Sequence, residues 1–185
     1  MIFYKFGHIY TDESLFYDSL ILNKNKNYIN SIVNWINKNI KIKGELLYRK
    51  SKDGDSIDTF HKLCDNKGNT LILIKTVDGI LIEGYTPLSW DNHSDYKNDY
   101  DTFIFSLTTN YISNKSQKGF SINCNKNYGP SSCCFGLGNT NKESMSQGKF
   151  KSSCSYYKDF SKISPNNKAG IFDAEEVEIF KISFY

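Results

Sequence analysis

No stretch of this chain approaches the ~20 consecutive apolar residues that a membrane-spanning helix needs, so membrane insertion is not expected. The opening MIFYKFGHIY is apolar and aromatic, but Lys5 and His8 interrupt it, and no targeting segment is expected there. Neither sign of charge is in excess. The 23 basic and 20 acidic residues leave a net +3, and the lysines lie interleaved with asparagines, as between Asn23 and Asn30. A nucleic-acid binder concentrates its basic residues on one face, so that class is excluded. CxxC pairs and paired histidines are also missing, which removes the common zinc ligand sets. The cysteines (Cys64, Cys124, Cys133, Cys134 and Cys154) are odd in number and irregularly spaced. That argues against a secreted disulfide framework and for a reducing, cytoplasmic setting.

What the chain does have is aromatic and β-branched material. Of its 185 residues, 13 are Tyr and 13 are Phe, which favours sheet. This length fits one domain able to bury roughly 70% of its unfolded surface. Residues 1–22 read as an N-terminal arm, and 23–185 as the domain. Ile29, Ile32, Val33, Ile36 and Ile40 fall at helical spacing and predict a helix ending near Gly44. Glu45 to Lys50 reads as a strand. Asp53-Gly54-Asp55 is a turn, and Ser56 stands where an N-cap belongs, with Asp58 in the first helical turn. Ile57, Phe60, Leu63 and Cys64 then share one helical face, with His61 at its edge, until Asn66-Lys67-Gly68 stops the helix. Two β-rich runs, Thr70 to Lys75 and Ile80 to Tyr85, flank Asp78-Gly79 and predict a hairpin. Thr102 to Leu107 reads as a buried strand, with further strands near Tyr111 and Ile122. The segment between Asn139 and Ser153 reads as a polar loop. Glu175 to Tyr185 closes the chain as a strand whose alternation shifts near Ile179-Phe180, as at a bulge. The fold class is α+β, mostly β.

The span from Ser51 to Leu71 holds four aspartates, a histidine and a cysteine, and invites a catalytic reading. His61 and Cys64 are neighbours on a helix, but a thiol within an apolar stripe is deactivated rather than activated. Asp53, Asp55 and Asp58 do not keep the spacing of a calcium loop and no bidentate glutamate follows in place. FGLGN, Phe135 to Asn139, lacks the Lys-Ser/Thr ending of a phosphate loop, which leaves a turn or a close backbone approach. Adjacent Cys133 and Cys134 bridge only with strain. Tyr85 and Trp90, at the exit of a strand in GYTPLSW, are candidates either for partner recognition or for packing over a sheet edge. Glu175, Glu176 and Glu178 read as a surface patch or as solvated charges.

Linked in order, LLYRKSKDGDSIDTFHKLCDNKGNTLILIKTVDGILIEGYTPLSW, DTFIFSL, GPSSCCFGLGN and AGIFDAEEVEIFKI resemble the TLDc domain from about Leu46 to the C-terminus. The resemblance implies two antiparallel sheets packed as a sandwich with flanking helices. It implies no cofactor, no metal and no catalytic residue. Ser51, Asp53, Gly54, Phe60, His61, Cys64, Asp65 and Gly68 match the family's structural signature. Members are associated with protection from oxidative damage, and several bind the peripheral sector of the vacuolar proton-pumping ATPase. By that resemblance the chain is expected to be a monomeric, non-enzymatic interaction module. Its candidate partner-binding residues are Glu83, Tyr85, Trp90, Phe135, Gly136 and Gly138. Two alternatives stay open: a redox-active thiol protein using Cys64 or Cys133-Cys134, and an adaptor fragment of a BTB-type ubiquitin ligase component. The sequence departs from the family pattern at Glu83-Gly84-Tyr85, where Gly-Gly-Tyr is usual, and at Asn139-Thr140, where Asp-Leu is usual.

Overall fold

The computed structural model describes residues 15–37, 39–93, 96–114, 120–138, 144–150, 159–163 and 170–185. Among the described residues, three α-helices and ten strands follow in chain order, with a 3-10 turn at Phe160–Lys162: α1 (Lys26–Asn37), β1 (Ile42–Arg49), α2 (Lys50–Asp53), α3 (Ile57–Cys64), β2 (Thr70–Thr76), β3 (Leu81–Thr86), β4 (Tyr96–Lys97), β5 (Phe103–Ser106), β6 (Tyr111–Asn114), β7 (Ile122–Asn123), β8 (Phe135–Leu137), β9 (Gln147–Phe150) and β10 (Gly170–Phe184). Eight strands form one antiparallel sheet in the order β6-β5-β3-β2-β10-β9-β8, with β1 also paired to β10, while β4 and β7 form a small second sheet. The strand content is thus divided very unequally. Strand β10 makes this possible: its first residues, Gly170 to Asp173, pair with β9, and the rest lies between β1 and β2.

Both faces of the central strands are covered. Ile72 and Ile74 of β2, Ile82 of β3, Ile104 of β5 and Ile179 of β10 point into one apolar cluster, together with Phe60 and Cys64 of α3 and Phe135, Leu137 and Phe150 of the β8–β9 ribbon. Leu71, Leu73, Leu81, Tyr85, Phe103, Phe105 and Phe180 point the other way, where Ile29 and Ile32 of α1 meet them. A strand buried on both sides needs no polar alternation, which is why TLILI and TFIF read as continuous apolar runs.

The segment expected as an arm extends this second cluster. Its first fourteen residues lie outside the described ones, but Leu15, Phe16, Ile21 and Leu22 are buried. The Phe16 ring meets Phe180 edge-on at 5.1 Å and lies against Gly44, where no side chain stands in its way. Helix α1 starts where the Asn25 side chain accepts from the backbone N–H of Asn27 at 3.0 Å. It ends at Asn37, short of the expected end near Gly44, because Ile42 is already paired with Phe184. The expected bulge is present, but the extra residue is Leu47 on β1, opposite Ile179 and Phe180. Within the stretch expected as a loop, residues 147–150 form β9, recruited by β10.

Candidate functional site

The DGD turn is built from its own backbone outwards. The Tyr48 hydroxyl donates to the Gly54 carbonyl at 2.7 Å, and the Arg49 N–H donates to Asp53 Oδ2 at 2.9 Å. Asp55 then holds a distant segment. Its Oδ2 accepts from the Ser144 and Ser146 hydroxyls at 2.8 and 3.0 Å, bonds that lower its pKa, and its carbonyl accepts from Met145 N. Ser51 N donates to Glu176 Oε1 at 3.1 Å, fixing α2 against β10. Ser56 takes the N-cap position of α3 with extended backbone, but its side chain makes no capping bond.

Along α3, Phe60 and Cys64 face the core and are fully buried. Burial raises the Cys64 thiol far above its ordinary pKa, and the Asp65 charge adds to the effect. His61 sits at the edge of that face, 8% exposed. Its Nδ1 lies 2.9 Å from Asp65 Oδ1 and its Nε2 lies 3.1 Å from the Tyr128 carbonyl. The histidine therefore ties the helix to the turn that precedes β8, and no nucleophile stands within its bonds. Beside it, Asp58, His61, Lys62, Asp65, Asn92 and Lys126 line an open cleft of about 300 Å³. Asp58, Lys62, Asn92 and Lys126 are exposed, so one carboxylate, one amide and two ammonium groups face solvent around a fixed imidazole, with half-buried Asp65 bonded to it. Such a surface suits a polar partner segment of mixed charge.

The remaining sequence candidates lie inside the fold instead of in this cleft: Trp90, Phe135, Gly136 and Gly138 behind it, Tyr85 and Glu83 on the other face of the large sheet. Trp90 is 2% exposed: its Nε1 donates to Thr70 Oγ1 at 2.9 Å, its ring meets Phe60 at 5.7 Å, and its carbonyl accepts from Asn66 N. Gly68 N donates to Ser89 Oγ at 3.1 Å, closing the same junction. Tyr85 lies under α1 against Phe103, with ring centroids 5.2 Å apart. Phe135 and Gly136 are strand residues of β8, and a side chain at Gly136 would come within 2.5 Å of Ser131. Gly138 adopts φ +73° and packs on Ile57 of α3. Glu83 is fully buried. None of these six therefore presents a side chain to solvent; the sequence shows large apolar side chains at a strand exit but not what covers them. Asn139 and Thr140, the other expected departure, lie outside the described residues.

A model of the TLDc domain matches residues 15–183, nearly the whole chain. The chain belongs to the TLDc family. No curated protein matches it. The TLDc signature residues thus form one connected structure, in which α3, the DGD turn, Trp90 and β8 fix each other. Sequence reasoning missed the polar cleft, because Asn92 and Lys126 come from turns far apart in the chain. It also missed a second polar feature. Glu178, expected at the surface, is fully buried in a network with Arg49 and Ser19, and Glu176 is nearly so. Cys64 and Cys124 are buried thiols, whereas Cys134 is disulfide-bonded, against the expectation of a fully reduced set. Cys154 lies outside the described residues.

Proposed function

We propose that this TLDc chain is a protein-interaction module whose partner is the peripheral sector of the vacuolar proton-pumping ATPase, and that it works in resistance to oxidative stress from the cytoplasm as a monomer. The observation that carries this reading is the family match over residues 15–183. The geometry supports it in a second way. The signature histidine, aspartates and cysteine are engaged in internal contacts, and the chemically rich surface beside them is a charge-mixed cleft. We assign partner contact to the exposed rim of that cleft, Asp58, Lys62, Asn92 and Lys126. The two-layer sandwich implied by the resemblance is supported by the apolar cluster between the β8–β9 ribbon and the central strands.

A pull-down of the purified peripheral sector with the intact chain tests the reading. Retention of the sector by the chain is expected. A folded chain that retains none of it overturns the choice of partner.

A redox role is the second reading, and one observation favours it: the Cys133 and Cys134 sulfurs lie 3.5 Å apart, beside a disulfide at Cys134. Thiol mapping by mass spectrometry before and after peroxide separates the two. Oxidation of the Cys133 thiol under mild peroxide supports the redox role, and an unchanged pattern removes it.

A further inference from the structure

One row of side chains crosses the large sheet on the face that α1 covers. Arg49 stands opposite Glu178, Glu178 opposite Leu73, Leu73 opposite Glu83, and Glu83 opposite Phe105. Directly opposed residues share a face with their Cβ atoms about 5 Å apart. Two fully buried carboxyls therefore flank a single leucine. Their surroundings differ. Glu178 accepts from Arg49 Nε at 2.8 Å, Ser19 Oγ at 2.5 Å and Leu20 N at 2.9 Å. Glu83 accepts one bond, from Leu107 N to Oε2 at 3.1 Å, and its Oε1 has no hydrogen-bond partner.

The cover over Glu83 is α1. Trp35 packs on Phe105 with ring centroids 5.0 Å apart, and Ile29 and Ile32 share the cluster of Leu73, Leu81 and Tyr85. The grip of these side chains is apolar, and Asn30 on the same helix also keeps a buried Oδ1 without a partner. The titratable and charged groups on this face leave Glu83 uncompensated. Tyr85 lies two residues along β3, and burial raises its hydroxyl to about 12. Tyr28 of α1 packs at the cluster's edge. Arg49 is committed to Glu178, and Lys75 at the end of β2 is committed to Glu175. Burial accordingly holds the Glu83 carboxyl well above the usual carboxylate range, with the Leu107 N–H opposing it in part.

An ionised carboxylate in this position needs water or a cation. Strand β3 cannot turn away to find them, since it is paired on both sides. The helix above can. We propose that α1 is a proton-gated lid on this sheet face: it docks while Glu83 carries its proton and is released as Glu83 gives that proton to solvent. Release uncovers the apolar face of Leu73, Tyr85, Phe103 and Phe105 without opening the sheet. This device stands independently of the proton-pump reading.

Amide hydrogen exchange read by mass spectrometry, corrected for the intrinsic effect of pH, tests it on the whole chain. Across the Glu83 titration, the opening of α1 is expected to rise up to about tenfold per pH unit, the slope of one released proton. Strand β2 is expected to keep its protection, and Glu83→Gln to flatten the α1 response. Trp35 fluorescence in a Trp90→Phe background gives a second readout, with emission shifting to the red as pH rises. The lid is overturned if α1 protection in the wild type does not change with pH. Equal loss in α1 and β2, or an unchanged slope in Glu83→Gln, overturns it too.

Discussion

Glu178 has a cation against it, Arg49, and two further donors, whereas Glu83 has one backbone donor and no cation, and each arrangement has a measurable consequence. Removing Arg49 leaves the Glu178 carboxylate buried beside Ser19 with no cation. Arg49→Met is expected to cost about 3–5 kcal/mol in urea denaturation, and much of that loss is expected to return in the double variant with Glu178→Met. At Glu83 the sign is reversed. A carboxyl whose folded pKa lies above its unfolded value binds more protons when folded, so its stability contribution is fullest below the unfolded pKa and is lost as pH rises toward the folded one. The wild type is expected to lose stability across that window by up to about 1.4 kcal/mol per pH unit relative to Glu83→Gln. Denaturation of both proteins at pH 5 and pH 8 checks this, and equal stability differences at the two values would contradict it. Neither carboxyl was legible as buried. The run EEVEIF carries acids on both sides of a strand, and only the register with β1 and β2 shows which of them face the core.

At the scale of elements, local chemistry was a good guide where it was self-contained. The α3 helix, its Asp-Gly turn and the β2–β3 hairpin stand where apolar spacing and turn residues place them. Long-range pairing decided the rest: β10 draws residues 147–150 into a strand, and Phe184 claims Ile42 before the helical period at Ile40 can continue. The junction of α3 with β8 lends itself to testing. His61→Ala leaves Asp65 and the Tyr128 carbonyl without the imidazole that both contact, and a loss of about 1–3 kcal/mol is expected in thermal or urea melts. Gly138→Ala meets both a left-handed backbone at φ +73° and Ile57 at 2.5 Å, whereas Gly54→Ala meets φ +87° in open space. Gly138→Ala is therefore expected to lower the melting temperature more than Gly54→Ala, about 1–3 kcal/mol of strain being common to both. Equal losses would mean that the close approach to α3 is relieved at no cost.

At the scale of the molecule, apolar clusters cover both faces of the central strands, one under α3 and the β8–β9 ribbon and the other under α1. The family was legible in the linked motifs and is shown by the match over 15–183. The surface proposed for partner contact was not, because motif residues such as Trp90 and Phe135 are prominent in the sequence for reasons of packing. Exposed Lys62 on α3 and Lys126 on a distant turn become neighbours only in the fold. The most direct test of the interaction account is the affinity of the chain for the purified peripheral sector of the proton pump, measured with wild type and with Lys62→Glu/Lys126→Glu. The account predicts binding by the wild type and a loss of about tenfold or more in the variant, since reversed charges at a contact rim oppose encounter and pairing. Binding that the double reversal leaves unchanged would move the interface away from the cleft. No binding by the folded wild type would contradict the account itself.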